Sequence, residues 1–184
     1  MGEAYSMVSV KKKSDQAGRS SGKKMYIVLF RWEDVATFTK DEKGVKVTAF
    51  AFAEGKKPIG VYATPSTINI YAQSEGDDDA RGYIHHVDFE HPGTSLEFDE
   101  MMNANINANL GAIVMGCSGG DAKIAGTPCT PLQVTQDNSQ DNKEGNKNIV
   151  QLASSLRSGP LGRIAKSLIP MTDDDEVNAV LGLP

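Results

Sequence analysis

Three histidines fall within seven residues, His85, His86 and His91, and two of them have carboxylates for neighbours. On an extended strand, side chains alternate between faces, so His85 and His86 point opposite ways and His86, Asp88 and Glu90 share one face. One imidazole and two carboxylates are a donor set that zinc or manganese accepts. Such a site would make the chain a metal-dependent hydrolase. The same three residues also form an ordinary exposed polar stripe opposite Val87 and Phe89. We take the stripe as the reading, and assign neither metal ligand nor cofactor.

Gly116-Cys117-Ser118-Gly119-Gly120 carries the G-x-S-x-G spelling of a nucleophile elbow. An elbow needs a helix directly after the serine, so that the hydroxyl stands at a helix start. Here Gly126, Pro128 and Pro131 come soon after the serine and oppose a helix. All three histidines also precede the serine, which is the wrong chain order for that family. Lys123 nearby does not complete a phosphate loop, because the G-x-x-x-x-G-K-[ST] spacing is missing. Nothing else in the chain supports a cysteine protease.

Cys117 and Cys129 are too few for a disulfide framework and are read as reduced thiols. Ser74-Glu75-Gly76-Asp77-Asp78-Asp79 is acidic but lacks the ordered spacing of a calcium loop, and reads as a solvated turn. Trp32, between Arg31 and Glu33, reads as core or interface. No catalytic residue is assigned, and the chain is expected not to be an enzyme.

Strand-like sequence dominates from Met25 to Phe89. Met25 to Phe30 is an unbroken apolar run of the kind buried on both faces. Val45 to Phe52 follows a polar turn, with both faces suited to cover. Gly60 to Ala63 and Thr67 to Tyr71 flank Pro65, which predicts an edge or break there. Tyr83, His85, Val87 and Phe89 alternate with Ile84, His86, Asp88 and Glu90, a half-buried strand.

His91-Pro92-Gly93 ends that strand, and Thr94 or Ser95 can cap a helix with Glu97 and Asp99 in its first turn. Phe98, Met102, Ile106 and Leu110 recur every four residues, predicting a helix over about 95–108 that Gly111 can end. Ala112 to Met115 and Asn148 to Leu152 predict two further strands. Residues 133–148, polar and almost free of apolar side chains, read as a long interaction loop. The whole predicts a mainly β (α+β) fold, an antiparallel β-sandwich or barrel with one flanking helix. It divides into a basic flexible N-terminal arm (1–24), a core (25–157) and a C-terminal arm (158–184).

Charge is unevenly placed. Residues 1–24 hold six basic side chains against two acids, a net +4, so the remainder carries −9 within the total of −5. A body this acidic is a poor general binder of nucleic acid. The N-terminal residues lack the apolar middle of a signal peptide, so no secretion by that route is expected. No run approaches the roughly 20 apolar residues of a membrane span, so no membrane partner is expected. Within the arm, Met7-Val8-Ser9-Val10 could add a strand to a neighbour's sheet edge.

Lys24 to Asp34, Val61 to Thr67, and His91-Pro92-Gly93 before an acidic helix resemble structural virion proteins of tailed bacteriophages, and among these the small proteins of the tail tube or head-to-tail neck ring. The resemblance covers about residues 25–165. It implies a non-enzymatic structural protein of the virion, assembled in the host cytoplasm as a homo-oligomeric ring or tube. Its partners would be copies of itself and other virion proteins, with DNA passing through without specific binding. A capsid decoration or cement protein is the alternative within this class. In a conduit, Glu75, Asp77, Asp78, Asp79, Asp88 and Glu90 would face the lumen or its rim and repel phosphate.

Overall fold

The computed structural model describes residues 7–117 and 120–170. The chain is mainly β, with antiparallel strands and, among the described residues, a single α-helix. Strand β1 (Tyr26–Arg31) lies at its centre, buried along five of its six residues. Its odd and even side chains enter two different cores. Ile27 and Leu29 join Val87, Phe89, Val150 and Leu152 in one. Tyr26, Val28 and Phe30 join Val47, Phe50, Ile113 and Ile124 in the other. This is why the run Met25 to Phe30 shows no polar alternation.

Beside β1 lie β4 (Ile59–Tyr62) on one edge and β7 (Leu110–Val114) on the other. Beyond β7 come β8 (Ala122–Ala125) and β11 (Gly162–Ile164). At Leu110↔Leu132, β7 also meets β9 (Leu132–Asn142), which leads into β10 (Gly145–Ser154), β6 (Gly82–Pro92) and β5 (Asn69–Glu75). The sheet therefore folds over on itself around the first core. A separate hairpin, β2 (Val35–Lys40) and β3 (Val47–Phe52), closes the second core. The break at Pro65 is a short 3-10 turn, Pro65–Thr67, between β4 and β5.

Helix α1 (Leu96–Asn105) starts where the sequence places it: Ser95 Oγ accepts the Phe98 N–H at 3.3 Å. Phe98 and Met102 plug the first core. The helix stops earlier than its apolar spacing suggests. Ile106 is exposed, and Leu110 and Gly111 belong to β7 rather than to the helix end. Its C-terminus is held by side chains. Asn105 donates to the Met101 carbonyl at 2.7 Å, and Arg31 donates to Asn105 Oδ1 at 2.7 Å and to the Ala104 carbonyl at 3.1 Å. A guanidinium on the last carbonyls suits the negative end of the helix dipole.

Three expectations need correction. Residues 133–148 are not a loop. They are most of a long hairpin, β9–β10, whose turn is only Lys143-Glu144. Its strands are polar because β9 is largely exposed, so composition hid its regular backbone. The core does not stop at 157: Ile164 and Ile169 are buried in the second core, so 158–170 is not part of an arm. Within Val45 to Phe52 one face is covered and the other is not, since Val47 and Phe50 are buried while Thr48 and Ala51 are exposed. Asp173-Asp174-Asp175-Glu176 before Val177, Val180 and Leu181 predicts a short acid-started helix, and that stretch lies outside the described residues.

Candidate functional site

Strand β6 presents the residues with most chemical potential. His86, Asp88 and Glu90 do share a half-buried face. Each has other engagements. The His86 ring stacks on Tyr71, with centroids 4.7 Å apart and planes 9° from parallel. Glu90 takes a salt bridge from Lys147 at 2.9 Å. Burial raises the Asp88 carboxyl above its usual range, against the opposing pull of His86. Among the described residues no three His, Cys, Asp or Glu side chains come together as a metal site.

On the opposite face, His85 is fully buried and fully bonded. Its Nδ1 accepts the Gly126 N–H at 2.9 Å, which leaves Nε2 protonated to donate to the Gly159 carbonyl at 2.8 Å. The His85 N–H donates to Ser154 Oγ at 3.0 Å. This imidazole ties β6 to the turn after β8 and to the segment before β11. Its geometry is that of a structural cross-brace, with no face open to a substrate. His91 is braced as well, its Nδ1 2.8 Å from the Tyr62 carbonyl and its ring stacked on Phe98 at 4.3 Å.

Ser118 and Gly119 of the elbow-like spelling lie outside the described residues. The next regular element is strand β8, not a helix. Cys117 and Cys129 are exposed free thiols. Trp32 is buried in the second core between Phe30 and Phe38, with centroids 4.9 Å from each. Its Nε1 has no hydrogen-bond partner in the described structure.

Two of the concavities that flank α1 bear on function. One, about 150 Å³, is lined by Leu29, Phe89, Met101, Met102 and Leu152 among others, and is small for an organic ligand. The other, an open cleft of about 640 Å³, runs along Arg31, Trp32, Glu33, Asn103, Asn107 and Pro128. Neither gathers a nucleophile, a base and an oxyanion donor.

The remaining candidates are surfaces. Met7, Val8 and Val10 stand almost wholly in solvent, 103%, 71% and 89% exposed. The arm rejoins the body toward its end, where Cys117 N–H donates to the Gly22 carbonyl and Lys24 N–H to the Met115 carbonyl, each at 3.0 Å. Past Leu132, β9 pairs with β10 on one edge and with no described strand on the other. The acids Glu75, Asp77, Asp78 and Asp79 gather at the exposed β5–β6 turn, whereas Asp88 and Glu90 lie on the β6 face.

Comparison with protein-family models, with curated proteins and with solved structures returns no match. Among the described residues no helix is long and apolar enough to cross a membrane.

Sequence reasoning singled out the β6 stripe and the arm. It missed the bracing role of His85, because both of its ring partners, Gly126 and Gly159, are backbone groups far along the chain. It missed the β9 edge because a polar, solvent-exposed strand has the composition of a loop. Asn142-Lys143-Glu144-Gly145, a polar run ending in glycine, is the available turn signal for that hairpin.

Proposed function

We propose that this chain is a non-enzymatic structural subunit that works by assembling with copies of itself. The observation that carries this is the arm: three apolar side chains, Met7, Val8 and Val10, find no cover among the described residues. An apolar strand-former kept in water is a liability unless a partner buries it. The engaged histidines of β6 are consistent with the same reading, since the titratable groups there brace strands and stack rings.

The particle we propose is a ring or tube in the tail or neck of a tailed bacteriophage, the class named by the resemblance of Lys24–Asp34 and its companion segments. A ring repeats one interface around an axis, so a single arm per subunit suffices to close it. The test is sedimentation of the full chain, and of a chain lacking residues 1–24, over a wide concentration range, followed by imaging of the largest species. Rings or stacks that need residues 1–24 are the expected result. A monomer at every concentration overturns the proposal, and a flat lattice overturns the tail or neck assignment in favour of a capsid-surface one.

A further inference from the structure

We infer that Met7–Val10 of one subunit adds a strand to the bare edge of β9 in a second copy, so that the contact runs head to tail. The inference rests on the assembly reading and names the surface that serves it.

The edge is long. After the bulge opposite Gln151 and Leu152, β9 runs regularly from Gln136 to Asn142 with no described strand beyond it. Seven residues at about 3.3 Å each present roughly 23 Å of unpaired backbone. Neither proline nor lysine interrupts this stretch, and these are the residues that commonly blunt an exposed edge. Strand addition satisfies such backbone groups whatever the side chains, which explains how so polar a strand can still serve as an interface.

Charge favours this edge over the outer side of β5. Its only charged side chains are Asp137 and Asp141, and Asp99 on α1 is near enough to act on Asp137. The arm follows Val10 with Lys11, Lys12 and Lys13. If Ser9 lies opposite Ser139, Lys11 falls opposite Asp137 in an antiparallel pairing, or opposite Asp141 in a parallel one. The antiparallel choice places the lysine beside two acids. By contrast, the outer side of β5 is lined by Lys123 and Arg163, which repel a lysine-rich arm.

Position favours an intermolecular contact. The arm is anchored at Met115 and Cys117, beyond the Val114 end of β7. Strand β9 starts beside Leu110, at the other end of β7, and runs antiparallel to it, so its bare edge extends away from that anchor. The arm's anchor and the acceptor edge thus sit toward opposite ends of one subunit. A contact between two different surfaces closes a ring or extends a filament rather than stopping at a dimer.

The test uses the full chain with Cys117→Ser and Cys129→Ser, carrying Ser9→Cys and Ser139→Cys, treated with a short bis-maleimide after sedimentation has established its size. A ladder of cross-linked subunits, absent from either single-cysteine chain, is the expected result. A companion chain, Asp137→Lys with Asp141→Lys, should assemble about tenfold less readily or worse, and adding Lys11→Asp with Lys12→Asp should restore assembly. Assembly without the cross-link, or unaffected by the charge reversal, overturns this inference and leaves the assembly reading standing. Cross-linking within one subunit, or a monomer at every concentration, overturns this inference, and the monomer overturns the assembly reading with it.

Discussion

His85 Nδ1 accepts a hydrogen bond from the Gly126 N–H at 2.9 Å in the protein interior, and that one bond fixes the tautomer of the ring. With Nδ1 occupied as an acceptor, Nε2 carries the proton and donates to Gly159. Protonating the ring would set two N–H groups against each other at Gly126. Burial holds the His85 pKa below the usual histidine value; the Gly159 carbonyl opposes this, and the charges of Lys40 and His86 add to it.

Stability should therefore depend on pH in a defined direction. The unfolded chain takes up a proton on His85 near pH 6.5, while the folded chain does so only at lower pH. Between the two values the unfolded state binds more protons, so His85's contribution is complete above about pH 6.5 and is lost as pH falls toward the folded value. Urea melts at about pH 7.5 and about pH 5.5, on either side of the unfolded value, should show this loss. His85→Gln should flatten that part of the profile, and an unchanged profile would show that His85 does not supply it.

His85→Ala should cost about 3 kcal/mol at neutral pH, since it opens a void and strands the Gly126 N–H and the Gly159 carbonyl. The expected local signature is faster amide exchange at Gly126. His86→Ala, which removes a half-buried stack on Tyr71, should cost under about 1 kcal/mol. Equal effects from the two substitutions would contradict the bracing role.

Gly111 sits in β7 opposite Phe30, and a Cβ there would run into the Phe30 ring and close on Trp32. Neither ring can retreat freely, because Phe30 also packs edge-on to Phe50 and Phe52, at 5.3 Å and 5.6 Å. Gly111→Ala should destabilise by about 1–3 kcal/mol through overpacking. Phe50→Ala should cost about 3–5 kcal/mol and loosen the β2–β3 hairpin, which forms a two-stranded sheet of its own. Near-ultraviolet dichroism of Trp32 reports both changes.

The central strand and the helix start are legible in the sequence, because each rests on local chemistry: the apolar run Met25 to Phe30, and Ser95 three residues before Phe98. The sequence misleads where one cue stands for another. Polar composition at 133–148 suggests a loop, but a strand exposed to solvent needs no apolar face. The four-residue spacing from Phe98 to Leu110 suggests one helix, but its last member lies in β7, and Arg31 and Asn105 end the helix instead. The second core is hidden in the same way. Ile164 and Ile169 look like scattered apolar residues of a tail until β11 pairs with β8.

The acids expected at a lumen fall into two kinds. Glu90 is bridged to Lys147, which offsets its charge, and Asp88 lies half-buried on the same face, its carboxyl raised above the usual range by burial. Glu75, Asp77, Asp78 and Asp79 are exposed at one turn, where Gly76 at φ 121° and Asp79 at φ 63° bend the chain sharply. Arg157 donates to the Ala80 carbonyl across the base of this turn, and Arg81 lies 3.4 Å from Asp78 at its rim, leaving net negative charge. Screening limits such charge to about 8 Å at physiological salt, so only a ring that repeats the turn around a narrow channel would repel DNA. If the assembly is a DNA conduit, imaging should place this turn on the channel wall. Asp77→Asn with Asp78→Asn and Asp79→Asn should then leave folding and assembly unchanged while letting assembled particles retain duplex DNA at low salt. Should the turn lie on the outer surface, with the wall neutral or basic, the conduit idea fails and these acids serve solubility instead.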